Sequence, residues 1–368
     1  MKALLRKSRL AYLLLLLLLI FGYHPQYVSE EYLPKIYLID SLLVRTEPLS
    51  GTRIYHVADP EHVFLVSEMH LEGNRDVAVR SGMMYADLNQ NLAVVDLRNP
   101  AHPVVLDTIF NVFDRYDFMP VDDIALRDHH WGQCGCNNFT AADATTQSSG
   151  SGGSLARFVI VDDYLYCIDF STLKSFDIST PDRPQFKSEI PVNWEIETLF
   201  SYQNYLFIGG QRGMYIYDIS NPDVPVQVSQ FVHARSCDPV VVENDTAYVT
   251  LRDGTSCGAA EDQLDIIDVK DIAQPQLLKV VPLHNPYGLA VRSRLVFVCD
   301  GRAGLKILDT TQLDAITEIG HIENIYPYDV ILRDELLFVT AQTGLYIYDI
   351  SDPATPRLLS MIAGSTAF

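Results

Sequence analysis

Five acidic residues occupy matching places in a stretch that recurs along the chain: Asp76, Asp123, Glu197, Asp238 and Asp329. Each opens a short apolar segment, as in Asp76-Val-Ala-Val-Arg80 and Asp329-Val-Ile-Leu-Arg333. Two further copies of the stretch have Ile36 and Tyr287 there. Carboxylates brought close together raise one another's pKa unless a cation or hydrogen-bond donors compensate. Hard oxygen ligands of this kind suit Ca²⁺ or a cationic ligand. The plainer alternative is that each carboxylate accepts backbone N–H groups of a neighbouring segment. Recurrence favours that alternative, because a repeated structural problem receives a repeated answer.

His129, His130, Cys134 and Cys136 form a second group. Thiolate and imidazole at this density could hold zinc or copper, although the spacing departs from the usual two-plus-two zinc pattern. A loop with a local disulfide is the blander reading. No His-Glu-x-x-His motif and no phosphate-binding loop occurs, and the expectation is that the residues point to no enzyme class. The expectation is a non-enzymatic protein with no cofactor, apart from a Ca²⁺ ion if the carboxylates converge.

The elements that must position these residues come from an internal repeat. Leu345-Tyr-Ile-Tyr-Asp349-Ile-Ser-Asp-Pro353 matches Met214-Tyr-Ile-Tyr-Asp218-Ile-Ser-Asn-Pro222 without a gap. Weaker copies surround Asp96, Asp177, Asp268 and Asp309, and His56 takes the anchor place in a seventh. Most anchors are 40 or 41 residues apart, with one step of 50 and one of 81. Each unit holds four short runs rich in Val, Ile, Leu, Tyr and Phe, divided by Gly, Asp, Asn and Pro, which reads as four strands. The spacing predicts an all-β, seven-bladed β-propeller over residues 35–364, four antiparallel strands per blade. The anchor Asp closes a third strand before a Ser/Pro turn, and its carboxylate is expected to accept turn N–H groups.

The long steps call for insertions at 129–154 and 252–263. Ser148-Ser-Gly-Ser-Gly-Gly-Ser154 within the first reads as a flexible linker. Asp123 is expected to open the third blade, with the blade resuming at Phe158. Cys237 opens the fifth blade and Cys257 lies in that blade's insertion, so a Cys237–Cys257 disulfide is expected in an oxidising compartment. Cys167 and Cys299 lie among apolar strand residues and are expected to be buried free thiols. First strands line a propeller's channel, so the five carboxylates would ring one channel mouth.

Acidic residues outnumber basic ones 47 to 27, giving a net charge of −20. That excludes a phosphate-binding nucleic-acid surface and would repel an anionic bilayer. Membrane contact is expected only through the N-terminus. Lys2, Arg6, Lys7 and Arg9 precede an unbroken apolar run from Leu10 to Phe21. This run has signal-peptide length and falls short of the ~20 residues of a spanning helix. Residues 1–22 are therefore a signal peptide or a signal anchor, both readings staying open, with 23–34 as a linker. The chain is expected to be exported, to the periplasm or cell surface, as a monomeric propeller.

Ile216-Tyr-Asp-Ile-Ser-Asn-Pro, Leu264-Asp-Ile-Ile-Asp268, Ser236-Cys-Asp-Pro-Val-Val-Val242, the Gly/Ser stretch before Ala156-Arg-Phe, and Asp300-Gly-Arg-Ala-Gly-Leu-Lys306 together resemble the bacterial LVIVD-repeat proteins. The resemblance covers roughly residues 35–362. It implies an exported or surface-associated propeller, often lipid-anchored; here no Cys precedes Cys134, so an N-terminal lipid is not expected. The functional expectation is a binding or scaffolding module of the cell envelope with a protein or glycan partner. The alternative is an exported metal-dependent hydrolase or lactonase using the acidic ring.

Overall fold

The computed structural model describes residues 33–47, 51–71, 73–113, 150–232, 239–252 and 261–364. The chain divides into two units, Met1–Leu33 and Pro34–Phe368, and every described strand belongs to the second. Seven antiparallel sheets, six of four strands and one of five, make seven blades whose four main strands cover residues 35–69, 77–109, 158–191, 196–231, 240–282, 289–322 and 327–363. Among the described residues the helical elements are two short 3₁₀ turns, Gly301–Ala303 and Leu313–Ala315. The propeller expected from the repeat is the fold.

Both faces of each blade are buried, so the inner three strands read as nearly continuous apolar runs instead of alternating ones. In blade 1, Ile36 and Leu38 pack against Ile331, Phe338 and Ile347 of blade 7. Tyr37 and Ile39, pointing the other way, pack with Val77 and Val79 of blade 2. The core is thus a series of blade-to-blade seams. Outer strands face solvent and show it: Phe64–Met69 and Val104–Ile109 are mostly exposed or half-buried.

The anchor aspartates perform turn chemistry. Oδ1 of Asp96, Asp177, Asp218, Asp268, Asp309 and Asp349 accepts the backbone N–H two residues on, at 2.7–2.9 Å. This side-chain mimic of a turn satisfies a donor where the third strand stops. It also holds the Asp349 carboxyl down at about 2, chiefly through the Ser351 N–H. His56 replaces this bond with a ring stacked on Phe64, centroids 5.0 Å apart.

The four main strands of blade 1 come from one continuous segment, as do those of blade 7, and among the described residues no terminal strand latches the ring. Their seam is closed by the apolar packing above, by Arg333 Nη1 donating to the Asp40 carbonyl at 2.6 Å, and by Ser360 Oγ donating to the Pro60 carbonyl at 2.7 Å. A further element ties the centre. Ser151–Gly152 forms a fifth strand on the channel side of blade 1, with Tyr37 opposite Gly152 and Leu38 opposite Ser151. From there the chain crosses to blade 3. Gly150 N–H donates to Val79 of blade 2, Ser154 and Leu155 N–H to Asp329 of blade 7, and Arg157 N–H to Asp76 of blade 2. Ser154 Oγ accepts the Leu289 N–H of blade 6, and the Ala156 carbonyl accepts that of Leu199 in blade 4.

The Gly/Ser stretch expected to be a flexible linker is therefore, from Gly150 on, a central clasp bonded to five blades. The glycines beside Asp329, one in the clasp and one in blade 6, answer to close approach. A Cβ on Gly153 would lie 1.9 Å from Asp329 Oδ2, and one on Gly288 would lie 2.3 Å from Asp329 Oδ1. Gly153→Ala should cost about 1–3 kcal/mol, the usual cost of overpacking, read as a lowered urea midpoint. A variant as stable as the parent would contradict the tight fit.

Candidate functional site

Pairing with the second strand of each blade defines which residue opens the inner strand at the channel mouth. Lys35 lies opposite Thr46, Thr198 opposite Gly209 and Asp329 opposite Thr340. Carbonyls at Asp76, Arg157, Pro239 and Gly288 accept the N–H of Asp87, Ile168, Thr250 and Cys299 at the same level. The ring is therefore Lys35, Asp76, Arg157, Thr198, Pro239, Gly288 and Asp329 from blade 1 to blade 7.

Two of the five expected carboxylates, Asp76 and Asp329, hold this place. Glu197 stands one residue before it, where a register shift between Ile196 and Thr198 leaves it out of line. Tyr287 and Ile36 are likewise each one residue off, with Gly288 and Lys35 taking the position. The inner strand of blade 3 is Phe158–Val161, with Arg157 before it. Asp123 and Asp238 lie outside the described residues, as do Cys237, Cys257, His129, His130, Cys134 and Cys136. Among the described residues no three His, Cys, Asp or Glu side chains gather as metal ligands do.

The two ring carboxylates are bonded to backbone. Asp76, almost wholly buried, accepts Val77 N–H at 2.8 Å and Arg157 N–H at 2.5 Å, and Lys35 Nζ stands 3.5 Å away. Asp329, equally buried, accepts Val330 N–H at 2.9 Å, Ser154 N–H at 3.2 Å, Ser154 Oγ–H at 3.1 Å and Leu155 N–H at 3.4 Å. Burial pushes the Asp76 carboxyl up and the Lys35 ammonium down, and the charge of each pulls the other back. Burial likewise pushes Asp329 up to about 6, against the pull of its N–H and O–H donors and of Lys35. Lys35 thus serves both acids, one in each neighbouring blade. A buried charge left unpaired would be strongly destabilising.

Cys167 and Cys299 are buried free thiols, as their apolar neighbours suggested, and burial raises the pKa of both. Three residues that matter went unread in sequence: Lys35, Ser154 and Arg157. The signal for Lys35 and Arg157 was present, since every ring residue precedes the start of its second strand by a constant interval.

The ring lies on the face where each outer strand hands over to the next inner strand. The Asx turns lie on the opposite face. Among the described residues the three most exposed large apolar side chains are Phe110 at 71 %, Trp194 at 67 % and Val232 at 66 %. All three stand in such hand-over segments, between blades 2 and 3, 3 and 4, and 4 and 5. Residues flanking the expected insertions, 113 and 150 for one and 252 and 261 for the other, open from this face too. Tyr287, Tyr326 and Tyr328 cluster there with centroids 5.5–5.9 Å apart, and Arg252 lies 3.8 Å over the Tyr287 ring.

LVIVD repeat motifs match residues 74–109, 200–232 and 328–363, which fall on blades 2, 4 and 7. The chain carries LVIVD repeats. No curated protein matches the sequence. Among solved structures it is similar to a functionally unknown protein from Desulfotomaculum acetoxidans, at 13% identity and TM-score 0.58, covering 90% of this chain and 95% of that one. The periplasmic gluconolactonase PpgL of Pseudomonas aeruginosa is similar at 10% identity and TM-score 0.61, covering 90% and 96%. BamB from Moraxella catarrhalis is similar at 8% identity and TM-score 0.53, covering 83% and 81%. At such identities the likeness is one of fold.

The raised Asp329 carboxyl sets a pH dependence. The native state keeps this proton up to about pH 6, whereas the unfolded chain releases it near the ordinary value of 3.8. Between those values the native state binds more protons, so stability falls as pH rises. The loss is on the order of 3 kcal/mol. Asp329→Asn cannot ionise, so its urea-unfolding stability should fall less than the parent's between pH 4 and pH 7, by about that amount. Parallel profiles would contradict the assignment.

Proposed function

We propose that the chain is an exported, non-enzymatic binding or scaffolding module of the cell envelope, and that its partner docks on the hand-over face. The observation that carries this is how fully the groups at the channel mouth are bonded. Residues 150–157 accept and donate hydrogen bonds there, and the two ring carboxylates are spent on backbone donors and Lys35. That leaves the outlying surface as the place for recognition, and exposed apolar side chains grouped on one face of a soluble domain mark interaction sites. Trp in particular is enriched among the residues that dominate binding energy.

Export rests on the basic segment followed by the Leu10–Phe21 apolar run. The acidic net charge keeps such a protein soluble and disfavours nucleic acid. The lactonase alternative draws on the fold shared with the gluconolactonase. It would need converging carboxylates at the channel mouth, whereas this ring mixes Lys35 and Arg157 with Asp76 and Asp329 and is covered by the clasp.

Cell fractionation followed by capture from envelope extracts tests the reading. The chain should fractionate outside the cytoplasm and retain a defined partner. Phe110→Ser, Trp194→Ala and Val232→Ser combined should reduce that retention about tenfold, the effect of losing one sizeable anchor's energy. Val104→Ser with Leu277→Ser, on outer strands, should leave it unchanged. Recovery in the cytoplasm, or equal retention by both variants, would contradict the proposal.

A further inference from the structure

Trp194, two-thirds exposed, stands on a hand-over segment tied down by hydrogen bonds. The Trp194 backbone N–H donates to Asn193 Oδ1 at 2.8 Å, and Asn193 Nδ2 donates to the Tyr215 hydroxyl at 2.5 Å. The Phe170 ring stands edge-on to the indole, centroids 5.7 Å apart at 78°. Backbone bonds fix the segment on both sides: Val192 N–H to Ser171, Ile196 N–H to Phe170, and Gln211 N–H to the Glu195 carbonyl, at 2.9, 3.2 and 3.0 Å. Glu195 adopts φ +62°, a left-handed conformation that a non-glycine residue keeps only where its surroundings impose it.

An exposed indole on a backbone ordered in this way, with one ring edge against it, costs less ordering when a ligand arrives. We propose that Trp194 is the stacking platform of a binding site for a neutral glycan, with Asn193, Glu195 and Arg212 as its polar rim. This rests on the reading of the chain as a binding module and names the ligand class.

Size and polarity select the ligand. A protein partner needs about 800 Å² on this side. The local apolar surface is one indole beside a half-buried Phe170, and an aromatic side chain offers only about 150–250 Å². A pyranose ring matches an indole in extent. Its C–H face is attracted to the negative face of the aromatic ring, whose quadrupole favours positively polarised hydrogens. Sugar hydroxyls both donate and accept, and the planar amide, carboxylate and guanidinium of the rim supply both complements. Glu195 and the net charge of −20 disfavour uronic or sulfated glycans, so the site calls for a neutral one.

Trp131 and Trp194 are the two tryptophans of the chain. In the full chain carrying Trp131→Phe, Trp194 is therefore the single indole reporter. The probes are tri- to hexasaccharides of β1,4-linked glucose, β1,4-linked N-acetylglucosamine, α1,4-linked glucose and β1,4-linked mannose. One series is expected to shift Trp194 emission to the blue and saturate. Calorimetric affinity for that series should fall at least tenfold in Trp194→Ala, with thermal stability unchanged. An unshifted spectrum with every series would overturn the proposal, as would binding that survives Trp194→Ala undiminished. Neither result touches the binding-module reading, which is decided separately by envelope capture.

Discussion

Two buried carboxylates at the channel mouth govern the structure's centre. Asp76 and Asp329 lie in blades on either side of blade 1, out of water, and each needs donors beyond the single N–H of its own strand. Residues 154–157 bring four of them, three backbone N–H groups and the Ser154 hydroxyl, and Lys35 adds a positive charge between the two acids. This requirement matches the course of residues 150–157, which lie against the inner strands at the channel mouth before blade 3 begins. It also explains the glycines of that passage, because a side chain at Gly153 would occupy the space of the Asp329 carboxylate. The ring is thereby tied from within.

The same arrangement separates the two faces of the molecule by their chemistry. One face carries the Asx turns, a local solution repeated in six blades and complete in itself. The other carries the channel mouth, the hand-over segments and the places where insertions enter. The backbone of the second face is not committed to a repeated turn and can vary without disturbing the seams, which is why the proposed function places recognition there. Loops tolerate such change where blade cores do not. The segment carrying Trp194 shows how a hand-over stretch can be hydrogen-bonded on both sides while its indole stays exposed.

Much of this was legible in the amino-acid order. Blade number, strand number and the turn role of the anchor aspartates follow from a repeat whose apolar pattern reports burial on both faces. The backbone-capping role of Asp76 and Asp329 was also readable as the plainer alternative to a cation site. The register of the ring was harder. Glu197 was aligned by its distance from the apolar run after it, but the ladder is set by pairing to the second strand, and a shift between Ile196 and Thr198 moves it by one place. A one-residue slip exchanges what faces the channel. The clasp was illegible for a different reason. Gly and Ser mean flexibility in solution and close packing inside a protein, and only the tertiary contacts of Gly153 and Ser154 decide between the two.

Hydrogen exchange at single-amide resolution addresses the central claim, that residues 150–157 clasp the ring. The amides of Gly150, Ser154, Leu155, Ala156 and Arg157 should exchange as slowly as those of the inner strands Val77–Arg80 and Pro327–Arg333, because each is bonded within the propeller's centre. Exchange of these five amides at the rate of an unstructured Gly/Ser peptide, with the inner strands still protected, would contradict it.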